Sequence, residues 1–258
     1  LDDSFSVSII NNNGTIISSY NDKVPRLPAS NQKLFSSAYV LRKYKLNNNL
    51  KTSLLKKNIN NYYLVGQGDP DLNYENIIEL ISNVKENKII NFNIVEIDSK
   101  LNWPNGWTNT DKLYEYGSPI TSLAIESNHN KYEDIYNLKN FIKNYLNKKF
   151  PNSKVNIDII DSEITFYLKD TTEINKIYST PILSLLTLTN SESHNFTAES
   201  LFKNASNTWN DNNYIKLKKW LENKGLPVTN TNFADASGLS RKNKITTKLV
   251  VLFLDKMR

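Results

Sequence analysis

The chain has 258 residues, 39% hydrophobic, 22% charged and 11% aromatic, which is enough apolar material to bury a core and argues against wholesale disorder. It holds no cysteine and two histidines, His129 and His194; this excludes disulfide scaffolds, iron–sulfur clusters, cysteine nucleophiles and thiolate-ligated zinc, and leaves little room for a histidine-rich metal site. The formal net charge is +6, but the lysines are scattered singly or in pairs, which argues against a nucleic-acid surface, and no apolar run approaches the ~18 residues of an integral membrane segment.

The chain opens at Leu1 with no charged-then-apolar leader, and the expectation is a mature segment from which a signal peptide has been removed. Phe5 to Ile10 and Thr15 to Tyr20 flank an Asn12-Asn13-Gly14 turn and predict a hairpin. Pro25 and Pro28 punctuate, and Ser30 opens a helical stretch in which Leu34, Ala38 and Leu41 recur at helical spacing beside Phe35. From about 50 to 175 the texture changes. Strand-like runs occur at Tyr62–Val65, Ile94–Ile97, Val155–Ile160 and Ile164–Leu168, and helices are expected over Tyr74–Lys85 and Ile135–Asn147. Turns fall at Gly66-Gln67-Gly68-Asp69-Pro70 and Trp103-Pro104-Asn105-Gly106-Trp107. The pattern is helical again from Pro181, with helices expected over Ala198–Ala205, Tyr214–Lys224 and Thr246–Met257. Helices and strands without strict alternation predict an α+β fold rather than a doubly wound sheet.

Ser30 and Lys33 place a hydroxyl and an amine on one helix face, one turn apart. A serine at a helix start feels the positive end of the dipole, and a lysine kept neutral by burial can act as its general base. The spacing alone decides nothing, because Ser53/Lys56, Ser82/Lys85 and Ser200/Lys203 repeat it. Only Ser30 follows a hairpin and begins an apolar helix; its plain alternative is an N-cap serine. Ser193-His194-Asn195 offers a second hydroxyl and an amide ahead of another helix, with capping again the alternative. His194 has no acidic orienter in the motif and reads as a solvated loop side chain.

Pro28-Ala29-Ser30-Asn31-Gln32-Lys33-Leu34 resembles the nucleophile motif of penicillin-recognising serine peptidases. Four further segments follow in order: Gly66-Gln67-Gly68-Asp69-Pro70-Asp71-Leu72, then Tyr116-Gly117-Ser118-Pro119-Ile120 with Asn128 beyond it, then Ser193 to Glu199, then Asp235-Ala236-Ser237-Gly238-Leu239-Ser240-Arg241. Together they resemble the D-alanyl-D-alanine carboxypeptidase/endopeptidase family, the type-4 low-molecular-mass penicillin-binding proteins. The resemblance implies a split transpeptidase-like domain at 1–48 and 177–258, with an inserted domain at 49–176. It implies that Ser30 attacks a D-Ala-D-Ala terminus or a D-amino-acid crosslink of a peptidoglycan stem peptide. Lys33 would be the base, Ser193 would relay a proton to the leaving amine, and Asn195 would hold the substrate backbone. Asp98 and Arg241 would line the cleft. β-Lactams are the implied inhibitors, no cofactor is implied, the implied location is periplasmic or otherwise extracytoplasmic, and the oligomeric state is left open.

The sequence departs from the family in lacking a Lys-Thr-Gly string after the last signature; Lys51-Thr52-Ser53 is the nearest and precedes Ser193. In the family that strand supplies the second oxyanion donor, and without it the hairpin edge is expected to be exposed and catalysis slowed by more than ~10²–10³. The stop inside an apolar helix favours a fragment of an active enzyme over a shortened, inactive relative serving as a wall-binding module. His194 inside Ser-x-Asn, and Ala236 where the family usually has Gly, are smaller departures.

Overall fold

The computed structural model describes residues 3–96, 102–129, 135–161, 168–209 and 213–258. The expected strand over Ile164–Leu168 lies largely outside them, and so does Asp98.

The first hairpin pairs β1 (Val7–Ile10) antiparallel with β2 (Ile16–Tyr20). Its turn is stitched by Asn11, whose side-chain oxygen accepts from the Thr15 N–H at 2.8 Å and the Asn13 N–H at 3.2 Å. Among the described residues these two strands form a sheet by themselves, and Val7, Ile9 and Ile17 are exposed on it.

A 3₁₀ turn over Ala29–Asn31 leads into α1 (Gln32–Leu41). The expected apolar face is not the buried one. Leu34 and Leu41 are exposed, whereas Gln32, Lys33, Phe35, Ser36, Tyr39 and Val40 point inward. Apolar periodicity misled here because half of the inward face is polar and serves the site described below.

The second sheet has five strands in the order β6-β5-β4-β3-β7. β3 (Asn49–Lys56) pairs antiparallel with both β4 (Asn61–Val65) and β7 (Thr172–Pro181), whereas β4, β5 (Ile89–Glu96) and β6 (Lys154–Asp161) run parallel. Parallel neighbours need crossovers. α2 (Tyr74–Ile81) lies between β4 and β5, and α3 (Ile135–Lys149) between β5 and β6. α2 starts on a reciprocal cap in which Asn73 and Asn76 exchange side-chain and backbone hydrogen bonds at 3.0 and 3.2 Å. Leu54, Tyr62, Leu64, Phe92 and Ile94 of the sheet bury against Leu80, Ile81, Leu138 and Ile142 of these helices. Edge strand β7 was not anticipated; its sequence carries two isoleucines among polar residues, and only Ser179 of it is fully buried.

β7 runs directly into α4 (Ile182–Ser191), followed by α5 (Asn195–Ser206), α6 (Asn213–Asn223) and α7 (Thr247–Met257). These helices share a second core with α1. Phe35 is completely buried, its ring 4.3 Å from that of Phe253 and 5.9 Å from that of Phe233. Tyr39 meets Phe202 at 5.1 Å and Trp220 at 5.6 Å. A smaller third cluster gathers Trp107, Ile120, Ala124 and Phe196. The mixture of a mixed sheet with packed helices is the α+β class expected from the sequence.

Phe35 lies five residues after Ser30 and two after Lys33, so the core it fills holds the site in place. Phe35→Ala should cost about 3–5 kcal/mol, the usual range for emptying a buried aromatic position, read from chemical denaturation of the two proteins.

Candidate active site

The three consecutive carbonyls of Asp235, Ala236 and Ser237 are each gripped by side chains from the N-terminal half of α1. Gln32 Nε2 donates to Asp235 O at 3.1 Å, Ser36 Oγ to Ala236 O at 2.8 Å, and Lys33 Nζ to Ser237 O at 2.8 Å. The two N–H groups of Ala236 and Ser237 go to the opposite side, both onto Glu199 Oε1 of α5, at 2.9 and 2.8 Å. Asp235 folds the rest of the loop around its own carboxylate, accepting from the N–H of Gly238 and Ser240, from Asn243 Nδ2 and from Trp107 Nε1. Gly238 is obligatory by geometry. Its φ is +90°, and a Cβ there would lie 1.8 Å from the carbonyl oxygen of Ala29. The signature loop therefore touches the backbone immediately before Ser30.

Lys33 is 2% exposed, while Ser30 and Ser193 are exposed. Its Nζ lies 2.6 Å from Asn195 Oδ1, 3.2 Å from Ser193 Oγ and 3.4 Å from Ser30 Oγ, and the two hydroxyls are 2.7 Å apart. All four residues expected at the site are thus brought together. Neither serine is spent on capping: the residue preceding α5 is His194, and neither it nor Asn31 at the head of α1 makes a side-chain cap. Burial lowers the Lys33 amine to about 8, against the opposing pull of the Glu199 and Asp235 carboxylates. Glu199 itself is raised to about 7 by burial and by the Asp235 charge.

The other three Ser-x-x-Lys pairs are structural. Ser53 Oγ donates to Glu173 from β3, Ser82 Oγ returns to the Glu79 carbonyl, and Ser200 Oγ to the Thr197 carbonyl inside α5. Lys51-Thr52-Ser53 lies in β3, where Lys51 pairs with Glu173 at 2.6 Å.

The remaining motifs build the surround. Tyr116 O accepts from Asn195 Nδ2 at 2.9 Å, which fixes the amide so that its oxygen faces Lys33. In the sequence Tyr116 stands out only as part of a motif; its role rests on a backbone carbonyl, which side-chain identity does not reveal. Asn128 Nδ2 secures the same segment through Pro119 O and Thr121 Oγ1. Gly68, at φ +71°, lets its loop lie against Ser200 and Trp209, and Gln67 O accepts from Asn204 of α5 at 2.6 Å. Arg241 is exposed, its guanidinium 3.7 Å from Asp111 Oδ1. His194 corrects its sequence reading: it is half-buried, with Nε2 3.1 Å from Nε2 of His129 and Nδ1 2.6 Å from Thr197 Oγ1. Burial, His129 and Lys33 together lower it to about 4.

The model of the D-Ala-D-Ala carboxypeptidase 3 (S13) family matches residues 4–140 and 134–258. The chain belongs to that family. Among solved structures it is similar to penicillin-binding protein 4 (dacB) from Haemophilus influenzae, at 19% identity over 93% of this chain and 72% of that one, with a TM-score of 0.64. It is also similar to Bd3459, a predatory peptidoglycan endopeptidase from Bdellovibrio bacteriovorus, at 15% identity over 95% and 66% of the two chains and a TM-score of 0.56. At such identities the likeness is one of fold. A second Haemophilus influenzae structure, complexed with a β-lactam, matches at 19% identity over 93% and 71% of the chains, with a TM-score of 0.62. No curated protein matches significantly. Among the described residues no helix of this S13-family chain is long and apolar enough to cross a membrane.

Two glycines separate the cost of backbone conformation from the cost of contact. Gly225 has φ +73° with open space around it, so Gly225→Ala should lose about 1–2 kcal/mol. Gly238→Ala adds a collision with Ala29 and should lose clearly more in the same denaturant titration; equal losses would show that the two loops part freely.

Proposed function

We propose that the chain is a serine DD-peptidase acting on D-Ala-D-Ala termini or D-amino-acid crosslinks of peptidoglycan stem peptides through an acyl-enzyme on Ser30. The observation that carries this reading is the meeting of Ser30, Lys33, Ser193 and Asn195 around one amine. Two of that amine's four neighbours, Asn195 Oδ1 and Ser237 O, only accept hydrogen bonds. A neutral amine gives them its two hydrogens, and its lone pair is left facing the two hydroxyls, which can donate.

Ser30 then gives its proton to Lys33 as its oxygen attacks the carbonyl, and the backbone N–H of Ser30 stabilises the developing oxyanion. Ser193, in contact with both Ser30 and Lys33, returns the proton to the leaving amine, and water later releases the acyl group. Asn195, held by Tyr116, grips the substrate backbone. Arg241 is assigned by the family resemblance to the rim of the cleft, and Asp98, which the resemblance also names, lies outside the described residues. A division close to 1–48 with 177–258 and an insert at 49–176 is supported by the two larger cores, with Leu50 packed in the first, Ile177 against the second and β7 running across the later boundary; family membership supports an extracytoplasmic setting. The alternative reading is a non-catalytic relative that serves as a wall-binding module.

Intact-protein mass after incubation with benzylpenicillin separates the readings. A stable adduct on the wild type and none on Ser30→Ala is expected; no adduct on the wild type, with retention on peptidoglycan, overturns the catalytic reading in favour of the binding one. Rapid turnover of the drug would point to a β-lactamase instead.

The acylation rate should climb with pH and level off above about 8. The base must be neutral, and a lysine lowered to that value loses its proton there rather than near 10.5. Lys33→Arg, which stays charged throughout, should abolish the rise. Stopped-flow acylation across pH 6–10 measures both.

A further inference from the structure

The chain contains two histidines, and the fold brings them together. They come from distant segments, 65 positions apart, and meet beside the serine–lysine site. His194 lies between Ser193 and Asn195, whose side chains both reach Lys33. The backbone before each ring is unusual. Glu126, Ser127 and Asn128 all have positive φ, at +47°, +58° and +55°, and Ser193 precedes His194 at +57°. Non-glycine residues enter that region seldom, and such runs persist only where surrounding contacts fix them. Here Ser127 Oγ donates to Pro70 O at 2.9 Å, and Asn128 is tied to Pro119 and Thr121. The position of His129 is therefore imposed by its supports.

We propose that His129 and His194 form a binding site for a late first-row divalent cation such as Zn²⁺ or Ni²⁺. Nitrogen ligands at the usual Zn–N distance of ~2.0–2.1 Å and separated by 3.1 Å subtend about 100° at the metal, close to the tetrahedral value. The outer contact is also the one that a metal-ligating histidine needs. Thr197 Oγ1, on a fully buried side chain, lies 2.6 Å from His194 Nδ1, and an Nδ1–H donated to it leaves the Nε2 lone pair facing the partner ring. With His194 in that tautomer, the 3.1 Å contact is made by His129 Nε2–H donating to the lone pair. Metal binding takes the place of this proton on Nε2, the proton passing to Nδ1 of the exposed His129 ring. Imidazole nitrogens select the later first-row metals over Mg²⁺ or Ca²⁺. Among the described residues no group of three or more His, Cys, Asp or Glu side chains gathers to hold a metal.

The test uses the whole chain and no activity measurement, so it stands apart from the fate of the acyl-enzyme reading. Titration calorimetry with ZnCl₂ should give one site per chain, absent with MgCl₂. His194→Ala and His129→Ala should each weaken binding by at least ~10-fold, and Thr197→Val, which keeps both ligands, by about 10-fold. Ni²⁺ should broaden the ring-proton NMR signals of both histidines in the wild type. Because His129 is exposed, its substitution tests the site even if a change at His194 disturbs the neighbouring loop. Failure to bind Zn²⁺, or binding that survives unchanged in both alanine variants, overturns the proposal.

Discussion

An amine withdrawn almost completely from water has to be surrounded by groups that tolerate either of its protonation states. Around Lys33 these are two hydroxyls, an amide oxygen and the Ser237 carbonyl, drawn from three separate stretches of chain. No local segment can provide that set. The α1 helix, the turn before α5 and the 235–240 loop must arrive together, and each is then held by the others. The loop is the least regular of the three and the most completely satisfied. Its carbonyls go to α1, two of its N–H groups go to Glu199, and two more go to the Asp235 carboxylate. Buried backbone without sheet or helix partners is costly unless every group is matched, and here Gln32, Lys33, Ser36, Glu199 and Asp235 do the matching.

The same arrangement sets the electrostatics. Burial alone would push Lys33 far from its ordinary value, whereas Glu199 and Asp235 pull it back and leave it near 8. Glu199 reports the opposing side of the balance, raised to about 7 by burial and by the charge of Asp235. Neither carboxylate touches the amine directly; one backbone loop lies between them. A carboxylate in contact would lock the lysine as an ammonium, and none nearby would leave the loop N–H groups without their acceptor. Placing the charge one layer back supports the loop and still leaves a base that can lose its proton at moderate pH.

What the sequence disclosed and what it hid follow from the same physics. Long amphipathic segments such as α3 and α6 were visible because their apolar spacing is set by packing alone. The 1–20 hairpin was visible from its Asn-Asn-Gly turn. α1 was placed correctly but turned the wrong way, because Gln32, Lys33 and Ser36 occupy inward positions where a periodicity argument expects leucine. β7 was missed since an edge strand with few buried residues leaves little pattern to read. Ser30 could be separated from three rival Ser-x-x-Lys pairs only by its context, and the structure gives the reason: the other serines are already committed to Glu173, Glu79 and Thr197. Tyr116 and Glu199 act through a carbonyl and a buried carboxylate, and neither role leaves a mark that spacing can detect.

The Ser-x-Asn turn shows how one short motif can serve two surfaces. Ser193 and Asn195 both direct their side chains at Lys33, and the positive φ of Ser193 turns the chain so that they can. The residue between them must then face away from the amine. Its ring is free of the chemistry and bounded instead by Thr197, one helical turn on, and by the 126–129 segment. The serine–lysine site therefore constrains the flanking identities tightly and leaves the middle one to whatever lies opposite. In this chain the residue opposite is the other histidine, preceded by three left-handed residues, of which Ser127 bonds to Pro70 and Asn128 to Pro119 and Thr121 in the segment that follows Tyr116. The 116–121 segment thus serves both sides of the turn: its Tyr116 carbonyl fixes the Asn195 amide, and its Pro119 and Thr121 anchor the residue before His129.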